Sequence, residues 1–228
     1  MAATTTCFTP VRLKVVRVTE LDECGDVPED AEYVVSAGAI TLKLAAVVES
    51  GDEFIQKNGN GDLCVNERSP DALKRVDVEI EWCNVDPDLV TLITGFPQVV
   101  DGEGLVVGFR AQTGTFDTNF AVEGWTGLSG DQCGASGRCY GYMLIPYLTG
   151  ATFGDITLEN GAATFTTKGY TESNAGWGVG PYDVVGTDAS PGPLVDAILA
   201  NQPYHFERTC VTPPTAACGS LPVVASPA

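Results

Sequence analysis

The chain has 228 residues, enough to bury one substantial core, and all-β sandwiches or barrels of this length often form a single domain. Thirty acidic residues stand against twelve basic ones, for a formal charge of −18, and such a surface repels nucleic-acid phosphates instead of releasing their counterions, which argues against a DNA-binding role. No run of about 18 apolar residues occurs, since the longest candidate, residues 33–48, is interrupted by Ser36, Thr41 and Lys43, so no membrane insertion is expected. Residues 1–10 show neither a basic n-region nor an apolar h-region, so no signal peptide is expected, and no Asn-x-Ser/Thr sequon is present.

Twenty-six glycines and fourteen prolines supply turns between short alternating runs of valine, threonine and isoleucine, the pattern of an all-β protein. The first strand is predicted over residues 10–19. Val11, Leu13 and Val15 alternate with Arg12 and Lys14 before residues 16–18 shift the phase, which predicts a bulge near Val15 and Val16. A second strand follows from Ile40, Leu42 and Leu44 alternating with Thr41, Lys43 and Ala45, closed by the turn at Gly51 and Asp52. Residues 58–62, Asn-Gly-Asn-Gly-Asp, read as a tight hairpin tip.

The cleanest alternation covers residues 75–83: Val76, Val78, Ile80 and Trp82 on one face, Asp77, Glu79 and Glu81 on the other. One short helix is predicted over residues 86–94, with Pro87 in its first turn, Asp86 and Asp88 near its positive end, Leu89, Leu92 and Ile93 at helical spacing, and Gly95 as the stop. Further strands are predicted over 119–126, 140–147 and 155–168, the last folding back at Glu159, Asn160 and Gly161. A long Gly/Pro-rich loop then runs to Pro193, residues 204–211 form a last strand, and residues 212–228 are a Pro/Ala-rich arm. No internal repeat or linker divides the chain, so residues 1–228 are expected to be one β domain.

Catalytic chemistry finds little to work with. The single histidine, His205, lies in Tyr204-His205-Phe206-Glu207, which reads more simply as strand, and no Gly-x-Ser-x-Gly elbow presents a serine. Carboxylates are too numerous to single out a glycosidase pair. Asn58, Asn60 and Asp62 mimic the start of a calcium loop, but Leu63 stands where that loop needs glycine and Ser69 where it needs glutamate. Gly102, Gly104 and Gly108 miss the dinucleotide-binding spacing by one residue and precede no helical pattern. No cysteine pair has Cys-x-x-Cys spacing. No catalytic residue, metal or cofactor is therefore expected, and the chain reads as a non-enzyme. Among the eight cysteines the closest in sequence are Cys133 with Cys139 and Cys210 with Cys218, the preferred bridges if any form; Cys7, Cys24, Cys64 and Cys83 have no partner that spacing assigns.

Residues 76–95, from Val-Asp-Val-Glu-Ile-Glu-Trp-Cys through Thr-Leu-Ile-Thr-Gly, resemble a segment of the major tail tube proteins of long-tailed bacteriophages (siphoviruses) of actinobacteria. Residues 16–25 resemble that family's opening strand, residues 154–167 its late hairpin, and residues 177–184 the segment after it, so the resemblance covers most of the chain from Val11 to Cys218. It implies a β-sandwich or barrel with one flanking helix, six copies joined edge to edge into a ring, and rings stacked into a hollow tube through which viral DNA passes without specific binding. It also implies partners such as tape measure and tail terminator proteins, synthesis in the host bacterial cytoplasm, and a final place in the tail of the virion. A virion protein made in a reducing cytosol and later exposed to oxidising surroundings would reconcile the many cysteines with the expected lack of a signal peptide.

Within that frame the acidic row Asp77, Glu79 and Glu81 is expected to face the lumen, where wall charge would keep a sliding duplex from adhering. The bland alternative places the row on the outer surface or pairs it with Arg12, Lys14 and Arg17 of a neighbouring strand. Three other functions compete. They are a head-to-tail joining or capsid decoration protein, a carbohydrate-binding adhesin module whose platform would be Trp125, Tyr140 and Tyr142, and a hydrolase.

Overall fold

A computed structural model describes residues 7–129, 133–134, 137–157, 160, 163–173, 180 and 191–223. In chain order the elements are β1 (Pro10–Leu21), β2 (Glu32–Ser36), β3 (Ala39–Glu49), β4 (Glu53–Lys57), β5 (Leu63–Arg68), β6 (Ala72–Trp82), α1 (Pro87–Thr94), β7 (Gln98–Val100), β8 (Val106–Phe109) and β9 (Asn119–Leu128). They continue with β10 (Cys133–Gly134), β11 (Gly137–Arg138), β12 (Tyr140–Thr157), β13 (Thr164–Thr171), β14 (His205–Thr209) and β15 (Leu221–Pro222). The expected all-β architecture with one short helix among the described residues is what forms.

The main sheet is antiparallel in the order β15-β2-β1-β9-β12-β13-β6-β3, with β14 added to β12. What turns this ribbon into a sandwich is the eighteen-residue strand β12. Its first part pairs with β9 and β14, its second with β13, and the register slips between Ile145 and Leu148 and again between Thr149 and Thr152. Gly150 sits in that irregular stretch at φ 60, a conformation costly for residues with a Cβ. The bend carries β13, β6 and β3 over β1 and β9, so Val76, Val78, Ile80 and Trp82 of β6 share one apolar cluster with Val16 and Val18 of β1 and Phe120 and Val122 of β9. Each of these side chains is buried, at about 1.5–3 kcal/mol apiece relative to exposure. Trp82 Nε1 donates to Thr167 Oγ1 at 3.0 Å, which removes the cost of burying the indole N–H.

The helix follows its local signals. Asp86 caps it by accepting from Asp88 N at 3.0 Å, Pro87 occupies the first turn, and Gly95 ends it at φ 70 with its N–H on Thr91 O at 2.7 Å. Leu89 and Ile93 join the core between the layers.

Several expectations shift. The bulge in β1 lies earlier than predicted, with slips between Val11 and Leu13 and between Leu13 and Val15; Leu13 therefore packs on the inter-layer core while Val15 packs on the opposite face. Ile40 does not share the face of Leu42 and Leu44, because the register slips between Ala39 and Thr41 and leaves Ile40 exposed. The apolar run over 33–48 holds two strands, β2 and β3, separated by a turn in which Ser36 Oγ accepts from Gly38 N at 3.1 Å. The strands predicted at 140–147 and 155–168 are the continuous β12 followed by β13. The tip at Glu159 and Gly161 and most of the loop before Pro193 lie outside the described residues, although Thr157 pairs with Thr164 beside that tip.

The segment from residue 212 is not a free arm. Ala217 N donates to Val35 O at 3.2 Å, Leu221 pairs with Tyr33, and Val223 N donates to Ala31 O at 2.8 Å. Gly219 N and Ser220 N donate to carboxylate oxygens of Asp86 and Asp88, at 3.0 and 2.9 Å. Asp86, the N-cap of α1, and Asp88 in its first turn thus also anchor the chain end, across sequence separations of 133 and 132 residues that no local pattern reveals. Residues 224–228 lie outside the described residues.

Candidate assembly surfaces

On β6 the acidic row points away from the core, as its alternation requires. Its neighbours decide its electrostatics. Register places Glu79 between Lys43 of β3 and Lys168 of β13, Asp77 between Ala45 and Tyr170, and Glu81 between Thr41 and Thr166. Glu79 Oε2 lies 4.0 Å from Lys43 Nζ and 3.9 Å from Lys168 Nζ, and Asp77 Oδ1 lies 2.9 Å from Arg75 Nε. The partners are therefore Lys43, Lys168 and Arg75, and not the β1 residues Arg12, Lys14 and Arg17 of the alternative. All these groups are substantially exposed, so each pair contributes about 0–1 kcal/mol. The face is charged in both signs instead of uniformly acidic. A shallow groove of about 420 Å³ opens on it beside Gly150 and Gly169, with Arg75 lying 5.0 Å over the Tyr170 ring.

The sequence reading missed a second surface. The β3–β6 pairing runs out to Glu49 opposite Ala72, and the chain continues past it as the β4–β5 hairpin, giving one long two-stranded ribbon. Its joint is tight: Gly51 N donates to Asp71 Oδ1 at 3.0 Å, Ser69 N to Asp52 O at 2.9 Å, and a Cβ on Gly51 would meet Ser69 O at 1.9 Å. The tip is the hairpin expected at 58–62, where Asn58 Oδ1 accepts from the N–H groups of Asn60 and Asp62 at 3.0 and 2.8 Å. Every residue of β4 and β5 is exposed, including Phe54, Ile55, Leu63 and Val65, and the adjoining Val48 and Leu73 are exposed too. A bare two-stranded ribbon is marginal in water, and clustered exposed apolar residues mark contact surfaces. The hairpin tip at residues 58–62 was legible in the sequence; that none of the described residues covers Phe54, Ile55, Leu63 and Val65 was not.

The far face of β1, β9 and β12 buries a polar network. Glu123 is fully buried; Arg17 Nε donates to its Oε2, while Arg17 Nη2 and Tyr142 Oη each donate to its Oε1 at 2.8 Å. The Arg17 guanidinium lies 5.6 Å from the Tyr33 ring and 5.7 Å from the Trp125 ring. Trp125 and Tyr142 are thus core residues, 1% and 0% exposed, and Tyr140 is partly buried against them, so the carbohydrate platform proposed for them does not form. A lone glutamate amid the apolar residues of 119–128 was the signal for this network.

The other candidate residues resolve plainly. His205 is a β14 strand residue with Nε2 3.2 Å from Glu207 Oε2. The Gly102 to Gly104 stretch is the tip of the β7–β8 hairpin; there Asp101 accepts from the N–H groups of Leu105 and Glu103, both at 2.9 Å, and these bonds hold its carboxyl below the usual range. At the end of β1, Glu20, Asp22, Glu23, Glu32, Asp88 and Asp117 line a groove of about 490 Å³, but Asp22 and Asp88 already accept backbone N–H bonds. Among the described residues no group of three or more histidine, cysteine or acidic side chains is arranged to hold a metal, and no helix is long and apolar enough to cross a membrane.

The expected bridges Cys133–Cys139 and Cys210–Cys218 do not form. Cys139 is bonded to Cys210, 71 residues away. The reason is register: Tyr140 pairs with Thr209 across β12 and β14, so the next residue outward on each strand is a cysteine and their Cα atoms stand 4.0 Å apart. Cys218 is exposed in the segment held against β2 and α1.

Comparison with protein-family models finds no match, and a search of curated proteins finds no significant relative.

Proposed function

We propose that the chain is a non-enzymatic, self-assembling structural subunit: a tail tube protein of a long-tailed bacteriophage, made in the host cytoplasm and built into the tail of the virion. The observation that carries this reading is the projecting ribbon of β4 and β5 with its uncovered Phe54, Ile55, Leu63 and Val65, which asks for a partner surface outside its own subunit. A second feature supports it. β3 is an eleven-residue edge strand, and long edges are normally blunted unless a neighbour pairs with them. Edge pairing between copies in a head-to-tail sense closes rings, which the resemblance sets at six subunits, and ribbons reaching between rings would stack them.

In this reading the partners are further copies of the chain, tape measure and terminator proteins, and viral DNA in transit. The outward row Asp77, Glu79 and Glu81 is the proposed lumen lining. Lys43, Lys168 and Arg75 stand among these carboxylates, so repulsion of a passing duplex draws on the net charge of −18 of each subunit as much as on this row. Screening at physiological salt acts over about 8 Å, which leaves wall charge within reach of DNA.

Sedimentation velocity over a wide concentration range tests the proposal. Polymers forming without metal or nucleotide are the expected outcome. A chain that stays monomeric at high concentration, even with tail initiator components added, overturns it.

A further inference from the structure

The apolar cluster on the far face of β9 and β12 has a cover that leads, through a short strand, to a disulfide at the start of β12. Leu194 and Ile198, from residues 191–203, are buried against that cluster, and the chain then enters β14, a five-residue strand that pairs with β12 alone among the described residues. Immediately beyond β14 comes Cys210, bonded to Cys139.

The two sulfurs of this bridge are not equivalent. Cys139 is fully buried, and Arg208 Nη2 lies 3.2 Å from its Sγ. Cys210 is only partly buried. A thiolate arriving from solvent meets Cys210 first, and the sulfur it displaces is the one beside a guanidinium, which favours the thiolate form and makes it the better leaving group.

We propose that Cys139–Cys210 is a redox latch, opened by a low-molecular-weight thiol through Cys210 with Cys139 leaving beside Arg208, and that opening frees β14 and the 191–203 cover from the far core. In the first step a sulfur–sulfur bond forms between the incoming thiol and Cys210, and Cys139 departs with the bonding pair. A second thiol attacks the adduct, leaving Cys210 reduced and the two reagent sulfurs joined. Two electrons pass from the two thiols to the bridge, and a low-molecular-weight disulfide closes it by the reverse sequence. The device goes beyond self-assembly, and its test needs no assembled particle.

The test uses oxidised full-length protein and reduced glutathione, with acid-quenched samples mapped by peptide mass spectrometry and amide hydrogen exchange followed before and after reduction. The expected adduct is on Cys210 and not on Cys139. Arg208→Gln should slow opening about three- to tenfold while Arg208→Lys stays near the parent rate. Exchange over 191–209 should rise at least about tenfold on reduction while β6 is unchanged. An adduct on Cys139 or equally on both, opening of the Arg208→Gln protein at the parent rate, unchanged exchange, or free thiols at both positions in protein purified under air would each overturn the latch. If Arg208→Gln fails to fold, the adduct position and the exchange data on the parent protein decide the matter alone.

Discussion

Glu123→Gln removes one charge from a pair that folding has taken out of water. Both carboxylate oxygens are engaged, by Arg17 and by Tyr142 Oη, and the side chain is 1% exposed. Glutamine keeps one acceptor but turns the other atom into an amide donor that faces either the guanidinium or the phenol. Removing one partner of a buried pair costs about 3–5 kcal/mol. Arg17 retains 18% side-chain exposure and lies over two rings, which softens the loss to about 2–4 kcal/mol. With a urea dependence of about 2–3 kcal/mol/M, the unfolding midpoint should fall by roughly 1 M, followed by tryptophan fluorescence because Trp125 adjoins the pair. The triple change Arg17→Met, Glu123→Leu, Tyr142→Phe removes every polar member together and should return to within about 1–2 kcal/mol of the parent. A Glu123→Gln protein within 0.5 kcal/mol of the parent, on the order of the resolution of such curves, would refute the assignment of this network as a stabilising buried pair.

Three further outcomes follow from the surfaces. Removing residues 217–228 should leave a folded sandwich that is about 1–3 kcal/mol less stable, with faster amide exchange in β2 and α1, because the N–H bonds to Asp86, Asp88, Val35 and Ala31 are lost; unchanged exchange in both elements would show that the seam contributes nothing. Phe54→Asp with Val65→Asp should abolish polymer formation with Tm within about 2 °C of the parent, since both side chains are exposed within the subunit; polymers of normal yield by sedimentation would remove the ribbon from the interface. Replacing Asp77, Glu79 and Glu81 by lysine leaves only cations on that face and should give tubes that eject DNA slowly, with the defect easing at high salt; normal ejection kinetics would place the row outside the lumen.

The parts of the fold legible in the sequence are those fixed by local rules. The period of two in β6 and the capping of α1 by Asp86, Pro87 and Gly95 depend on neighbours within a few residues. The Cys139–Cys210 bond, the docking of residues 217–223 on β2 and the bend in β12 depend on which strands lie side by side, and that register is set by contacts across distant chain. The acidic row was legible as a face, whereas its pairing with Lys43 and Lys168 needed the order β13-β6-β3. Proximity in sequence misled for the cysteines because an antiparallel ladder brings together residues 71 apart as readily as residues in one turn.

Electron microscopy of the purified full-length protein tests the central claim most directly, because tubes, lone rings and monomers separate in one image. Stacked rings enclosing a central channel, formed without metal, nucleotide or nucleic acid, are the outcome expected of a tail tube subunit. Lone rings that never stack would point to a joining protein, and dispersed monomers at every concentration would contradict the account.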